Sequence, residues 1–306
     1  MFLLESDLQT FAWNGSNDVS CLFKMNRQNV KGWKYYNHAM IPTTAPHEAV
    51  DLSAVKSGEI WNYKSKEGKP LFVRWASEWD CGYYTGWWFV IREAPFDLAE
   101  LSSSSRRNIR KSLRNCRIEK IDPSYYLEDL WRVFNEAIER YENYDILLTK
   151  NAFFTKCNTQ KNEQEYWAGF DCLSGRMIGY AVFCVHDDWV EFQNAKYSTQ
   201  YLKLRVSDAI NATVLDYYLN ILKKIYISDG ERSILHKTNV QNYLKEHFGY
   251  RYAFCKLHLM YRKPLKIIIK SLYPIRKILK KIDNIKLFHY INSFMLMEEI
   301  INKDFQ

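Results

Sequence analysis

Asn239-Val240-Gln241-Asn242-Tyr243-Leu244-Lys245-Glu246-His247-Phe248-Gly249-Tyr250 is the stretch on which the fold turns. Asn239 is of a residue type that caps helices, and Gly249 permits the left-handed turn that ends one. Just upstream, Lys224 to Ser228 reads as a strand; downstream, Tyr250 to Tyr261 is strand material rich in tyrosine. The unit is strand, helix, strand, with the helix stopped by Gly249.

Working back from it, Leu202 to Leu219 reads as a long helix. Before that come three strands, Glu165 to Phe170, Met177 to Val185 and Trp189 to Lys196. Their turns, Leu173-Ser174-Gly175-Arg176 and His186-Asp187-Asp188, make an antiparallel meander. A strand at Arg117 to Ile121 is followed by Asp122-Pro123, which opens a helix running to about Tyr141. That helix places Leu127, Leu130, Trp131, Phe134 and Ile138 on one stripe, and a shorter helix covers Asn151 to Cys157. The order predicts an α/β (α+β) domain over 117–261, a mixed sheet flanked by helices.

The flanks differ. Residues 1–100 form a smaller strand-rich unit, with runs at Ser20 to Lys24, Glu59 to Tyr63, Pro70 to Trp75 and Gly86 to Ile91. The second and third of these flank the turn Ser65 to Lys69 as a hairpin. Residues 101–116 are a basic linker helix capped by serines, and 262–306 are a basic amphipathic helical tail.

With 306 residues, 47% apolar and 25% charged, the chain has the composition of a globular protein with a sizeable core. Seven dispersed cysteines without C-x-x-C spacing read as reduced thiols. Met1 to Gln9 lacks a basic start leading into an apolar run, and no window reaches ~18 apolar residues. The expected location is cytoplasmic, peripheral to the inner face of a membrane. The histidines and cysteines show no metal spacing, so no metal is expected. Walker, dinucleotide and G-x-S-x-G signatures are lacking. The net charge of +8 is concentrated in Arg106 to Lys120 and in 262–286. Such concentrations attract phosphates, anionic lipid or nucleic acid.

The element order and the stretch from Asn239 to Tyr250 resemble the GNAT superfamily of N-acetyltransferases. The basic Ser/Arg segment from Leu101 to Cys116 is similar to the linker of the Fem-type aminoacyltransferases and related acetyltransferase-like proteins of the cell envelope. Those relatives pair two GNAT-like units, which implies that residues 1–100 are a degenerate first one. The resemblance implies transfer of an acyl or aminoacyl group to an amine of a cell-envelope precursor, a glycan or peptidoglycan. It implies as donor acetyl-CoA, another acyl-CoA or aminoacyl-tRNA, and tRNA as a possible partner. One departure bears on the donor. The glycine loop that holds a CoA pyrophosphate is replaced by Thr199-Gln200-Tyr201-Leu202-Lys203-Leu204-Arg205-Val206. Backbone amides approach a phosphate less closely past such side chains. Gln200, Lys203 and Arg205 are then the donor contacts, or the donor is aminoacyl-tRNA.

Acyl transfer to an amine needs a proton acceptor, oxyanion donors and an acid for the leaving group. The polar cluster from Ser228 to His236 stands at a strand end, where α/β sheets open to ligands. Asp229 and His236 are candidate proton acceptors there, with Arg232 for an anionic group and Ser233 to orient. The competing reading is a solvated loop with a helix cap. The family resemblance adds Glu191 as a strand base and Tyr243 as leaving-group acid, while Lys196 and Asn239 are further substrate contacts. As exposed or packing residues, Glu191 and Tyr243 would have no such role. Arg106, Arg107 and Arg110 suit phosphates bidentately, or are a solvated basic face. The tail offers a peripheral membrane contact through 262–286. A rival class is a non-catalytic module of the same fold binding an anionic polymer or membrane surface. The catalytic reading expects a gap between the strands Trp189 to Lys196 and Lys224 to Ser228.

Overall fold

Residues Arg251–Tyr261 form the longest strand and draw both ends of the chain into one sheet. The computed structural model describes residues 30–64, 68–139, 148–234, 239–282 and 286–304. In chain order these hold β1 (Trp33–Tyr36), β2 (Ala39–Pro42), α1 (Ser53–Ser57), β3 (Phe72–Ser77), β4 (Trp87–Glu93) and α2 (Ser103–Asn115). Then follow β5 (Cys116–Ile121), α3 (Leu127–Ile138), α4 (Lys150–Gln160), β6 (Glu165–Asp171), β7 (Met177–Val185) and β8 (Trp189–Tyr197). The remainder is α5 (Val206–Leu215), β9 (Tyr226–Glu231), α6 (Val240–Phe248), β10 (Arg251–Tyr261), α7 (Lys263–Leu272), α8 (Arg276–Leu279) and α9 (Lys286–Asp304).

The ten strands lie in the order β1-β2-β3-β10-β4-β9-β8-β7-β6-β5. Pairing is antiparallel except between β2 and β3 and between β8 and β9. β7 reads as a continuous apolar run because helices cover both faces, and all its residues but the last are buried. One face carries α2, α5 and α6, whose Ile109, Ile210, Leu215, Leu244 and Phe248 pack with Val90, Phe183, Val190 and Ile227. On the opposite face, α3 and α4 bring Leu130, Phe134 and Phe153 onto Tyr166, Tyr180 and Val182. α7 and α9 extend that layer, setting Ile269, Phe294 and Met297 over Trp87, Phe89 and Leu257.

α5 approaches the sheet closely because Gly169 and Gly179 face each other across β6 and β7. A Cβ on Gly179 would stand 2.8 Å from the Tyr197 ring and 3.0 Å from Val206. The missing side chains thus make the seat for the first turn of α5.

The mixed sheet flanked by helices is the expected class, and the meander β6–β8 has the expected turns. Several local expectations differ. Glu59–Asn62 is a 3-10 turn rather than a strand, because Gly58 at φ 78 turns the chain out of α1 into it. The long helix from Leu202 is broken: a 3-10 turn covers Thr199–Leu204, Arg205 takes φ 58, and α5 ends in a π turn at Asp216–Ile221. Asp122-Pro123 opens a 3-10 turn before α3 rather than α3 itself. At long range, β4, from the first hundred residues, lies between β9 and β10 in the sheet. The strand expected at Ser20 to Lys24, most of the Ser65 to Lys69 turn and the end of the helix at Tyr141 lie outside the described residues.

Gly179→Ala is expected to lower stability by roughly 1–3 kcal/mol through overpacking against Tyr197 and Val206. Urea unfolding should show a lower midpoint at unchanged slope, and an unaltered midpoint would contradict this seat for α5.

Candidate active site

β8 and β9 run in parallel but pair over three positions only, Trp189 with Tyr226, Val190 with Ile227 and Glu191 with Ser228. β8 then continues to Tyr197 still paired to β7, while β9 turns toward β4. The departure is made by a bulge: Ile91 pairs with Ser228 and Phe89 with Glu231, so Asp229 and Gly230 share one position opposite β4. Gly230, at φ +86, supplies a backbone conformation that side chains disfavour, and its N–H donates to Ser228 Oγ at 3.0 Å. The gap expected between these two strands is present beyond Glu191 and Ser228.

On the face of α5 and α6, Tyr250 lies near both Asp229 and Tyr197, and Tyr197 lies near Tyr243. Burial pushes the Asp229 carboxyl up to about 7, against a weaker opposing hydrogen bond from the Gln241 amide. Gln241 is itself fixed through Nε2 donating to the Glu231 carbonyl at 3.0 Å. Burial, with the Asp229 charge nearby, raises the Tyr250 phenol far above its usual value and keeps it protonated. Tyr243 donates its hydroxyl proton to Asp208 and lies 3.3 Å from Ser207 Oγ. Burial and that carboxylate raise its phenol as well. Asp208, in the first turn of α5, also accepts from Arg205 Nε at 2.5 Å. Arg205, Asp208 and Tyr243 thereby brace the start of α5 to α6 across the mouth of the gap. Asp208, Gln241 and Tyr250 were not singled out from sequence. Only Tyr250 stood in the Phe-Gly-Tyr step that could have marked it.

The other candidates are distributed around this gap. Glu191 projects to the opposite face, 3.9 Å from His186. Burial works against its charge, yet His186 and the Lys34 charge outweigh burial and hold its carboxyl below the usual range. Lys196 is buried opposite Tyr180, on the face of α3 and α4, and desolvation lowers its ammonium to about 8. Arg232 stacks on Trp88 at 4.5 Å and donates to the Gly86 carbonyl at 2.5 Å, with Ser233 next in the chain. Asn239 occupies the N-cap position of α6, but its side chain accepts from Asn242 Nδ2 at 3.0 Å rather than from a backbone N–H. Gln200 and Lys203 are exposed on the turn before α5. Arg106 donates to the carbonyls of Ala99 and Leu101, and Arg110 is exposed on α2. His236 lies outside the described residues. Among the described residues no group of three or more His, Cys, Asp or Glu is placed to hold a metal, and no helix is long and apolar enough to cross a membrane.

No protein-family model matches the chain, and no curated protein sequence matches it. Solved structures do. The C-terminal DUF2156 domain of a proposed lysylphosphatidylglycerol synthetase from Agrobacterium fabrum matches at a TM-score of 0.54 and 8% identity, over 88% of this chain and 96% of that one. L-PGS from Bacillus licheniformis matches at 0.52 and 13%, over 87% and 94%. FemX is similar over 60% of this chain and 63% of its own, with a TM-score of 0.48 and 10% identity. The chain shares the fold of L-PGS and of the DUF2156 domain, over most of its length.

Proposed function

We propose that the chain is an aminoacyltransferase, within the wider class of acyltransferases, and that it works in the gap between β8 and β9. The observation that carries this reading is Asp229, a carboxyl poised at about 7 where two parallel strands part. A base is most useful when its proton affinity lies near the working pH.

In this reading an acceptor ammonium gives its proton to Asp229, and the freed amine attacks the carbonyl carbon of the donor ester. The oxyanion accepts a hydrogen bond from the protonated Tyr250 hydroxyl. When the tetrahedral adduct collapses, the C–O bond to the donor breaks, the departing oxygen takes the proton from Asp229, and the adduct nitrogen gives its second proton to the carboxylate so freed, from which it passes to water. Tyr243 has its proton committed to Asp208, so its part is to hold α5 and α6 apart at a fixed distance. Glu191, ionised on the opposite face, suits an ammonium group of the acceptor, with Lys196 and Arg232 near its anionic parts. Arg106 and Arg110 would meet phosphates of the donor.

The donor proposed is aminoacyl-tRNA rather than acyl-CoA. A helix N-terminus that binds pyrophosphate offers free N–H groups and no opposing charge. Here the first turn of α5 presents the Asp208 carboxylate, and Arg205, a candidate donor contact, is already paired to it. The acceptor proposed is an amine of a cell-envelope precursor. The fold shared with the domain of a proposed lysylphosphatidylglycerol synthetase supports an aminoacyl group as the one transferred.

Incubation with labelled aminoacyl-tRNA and a nucleotide-linked muropeptide should transfer label to the muropeptide amine. Asp229→Asn should lower kcat by roughly 10²–10⁴ with little change in KM, and should abolish the rise of kcat through pH ~7. Full activity in that variant would contradict the role of Asp229, and the absence of transfer by the wild type would leave the binding-module reading in place.

Calorimetry with acetyl-CoA should show no saturable binding; micromolar binding that survives Arg106→Ala and is lost in Arg205→Ala would reverse the choice of donor.

The raised Asp229 value has a sign in stability too. Its folded value lies above that of the unfolded chain, so its favourable contribution is complete below pH ~4 and falls away up to pH ~7. Unfolding of the wild type and Asp229→Asn across that window should diverge, the wild type losing ground as pH rises.

A further inference from the structure

The tail contains a surface that the transfer site does not use. From Arg262 to Ile282 the sequence holds no acidic residue. α7 packs Leu265, Ile269 and Leu272 on the sheet and turns Lys263, Lys266, Ile267 and Lys270 outward, a spacing that keeps those four on one stripe. Ile267 is 67% exposed. Just beyond, Ile275 and Ile278 are 44% and 63% exposed, among exposed Lys277, Lys280 and Lys281. Isoleucines so open to water are uncommon on a face that has a neighbouring core available to it.

A second observation stands at the N-terminal end of α7. A cleft of about 480 Å³ is lined by Trp61, Asn62, Lys64, Lys69 and Arg262. It gathers three cations, and among the described residues no carboxylate pairs with any of them. Arg262 donates through Nη2 to the Trp61 carbonyl at 2.8 Å and lies 5.4 Å from that ring, while its Nε is buried with no acceptor. A buried guanidinium N–H without a partner, beside two lysines and the first turn of a helix that has no side-chain cap, is the setting an oxyanion completes.

We propose that the outward stripe of α7, the Ile275–Lys281 segment and this cleft together form a docking surface for an anionic phospholipid bilayer, with a lipid phosphate seated among Lys64, Lys69 and Arg262. Lysines interleaved with exposed isoleucines match a lipid interface, which takes charge at the headgroups and apolar side chains just beneath them. A nucleic acid would answer the lysines and leave the isoleucines in water. Such a surface would bring the transfer site to acceptors embedded in, or anchored to, a membrane. Because vesicle binding needs neither donor nor acceptor, it is decided separately from the transferase reading.

The test is cosedimentation of the full chain with phosphatidylcholine vesicles with and without about 30 mol% phosphatidylglycerol, at low and high salt. Binding is expected only with the anionic lipid, weakened by salt. The double variant Ile267→Asn with Ile278→Asn should weaken it about tenfold, and so should Lys64→Glu with Lys69→Glu; both pairs change exposed side chains, and circular dichroism should be unaltered. Equal binding to neutral vesicles, or no loss in the isoleucine variant, would overturn the proposal. So would RNA binding that the isoleucine variant leaves intact and that competes vesicles away; this would assign the face to nucleic acid instead.

Discussion

A strand has two edges, and β9 keeps its partner along one of them and loses it part-way along the other. Over Tyr226–Ser228 it pairs with β8 on one side and β4 on the other. At the Asp229–Gly230 bulge it keeps β4 and gives up β8, which stays with β7 to Tyr197. Everything at the candidate site follows from that choice. The sheet opens on one side of β9 only, a carboxylate stands where it opens, and α6 crosses above to cover it.

Electrostatics then separates the two acidic groups at the opening. Asp208 has two donors, Arg205 and Tyr243, and serves as a brace. Asp229 has the Gln241 amide in its favour and burial against it, and burial outweighs the amide, so its charge is poorly supported and its proton affinity rises. Glu191, a few residues away along β8, goes the other way because His186 and Lys34 favour its charge. Two carboxylates on neighbouring strands thus shift in opposite directions, set by their partners and not by their spacing in sequence.

That contrast explains what could be read in advance. Signals local to a few residues were legible: Gly249 ends α6 at φ 69, Gly175 turns β6 into β7 at φ 71, and the alternating runs of β6–β8 announce a meander. Asp229 and Arg232 were visible as polar residues at a strand end. The placing of β4 between β9 and β10 was not, because strand partners chosen across more than a hundred residues leave no local mark. Asp208 resembled an ordinary acid in a first helical turn until Tyr243, 35 residues on, came to meet it. The break of the long helix at Arg205 and the π turn after α5 were likewise hidden, since both serve packing on Gly169, Gly179 and Trp167 rather than any propensity of their own.

The central claim is that the parting of β8 and β9 leaves Asp229 as a base working near neutrality. Its carboxyl ¹³C resonance, assigned by loss in Asp229→Asn and followed by NMR as pH is raised, reports this directly. The account predicts a titration centred near 7. A titration centred near ~4, the ordinary value for a solvated aspartate, would contradict it.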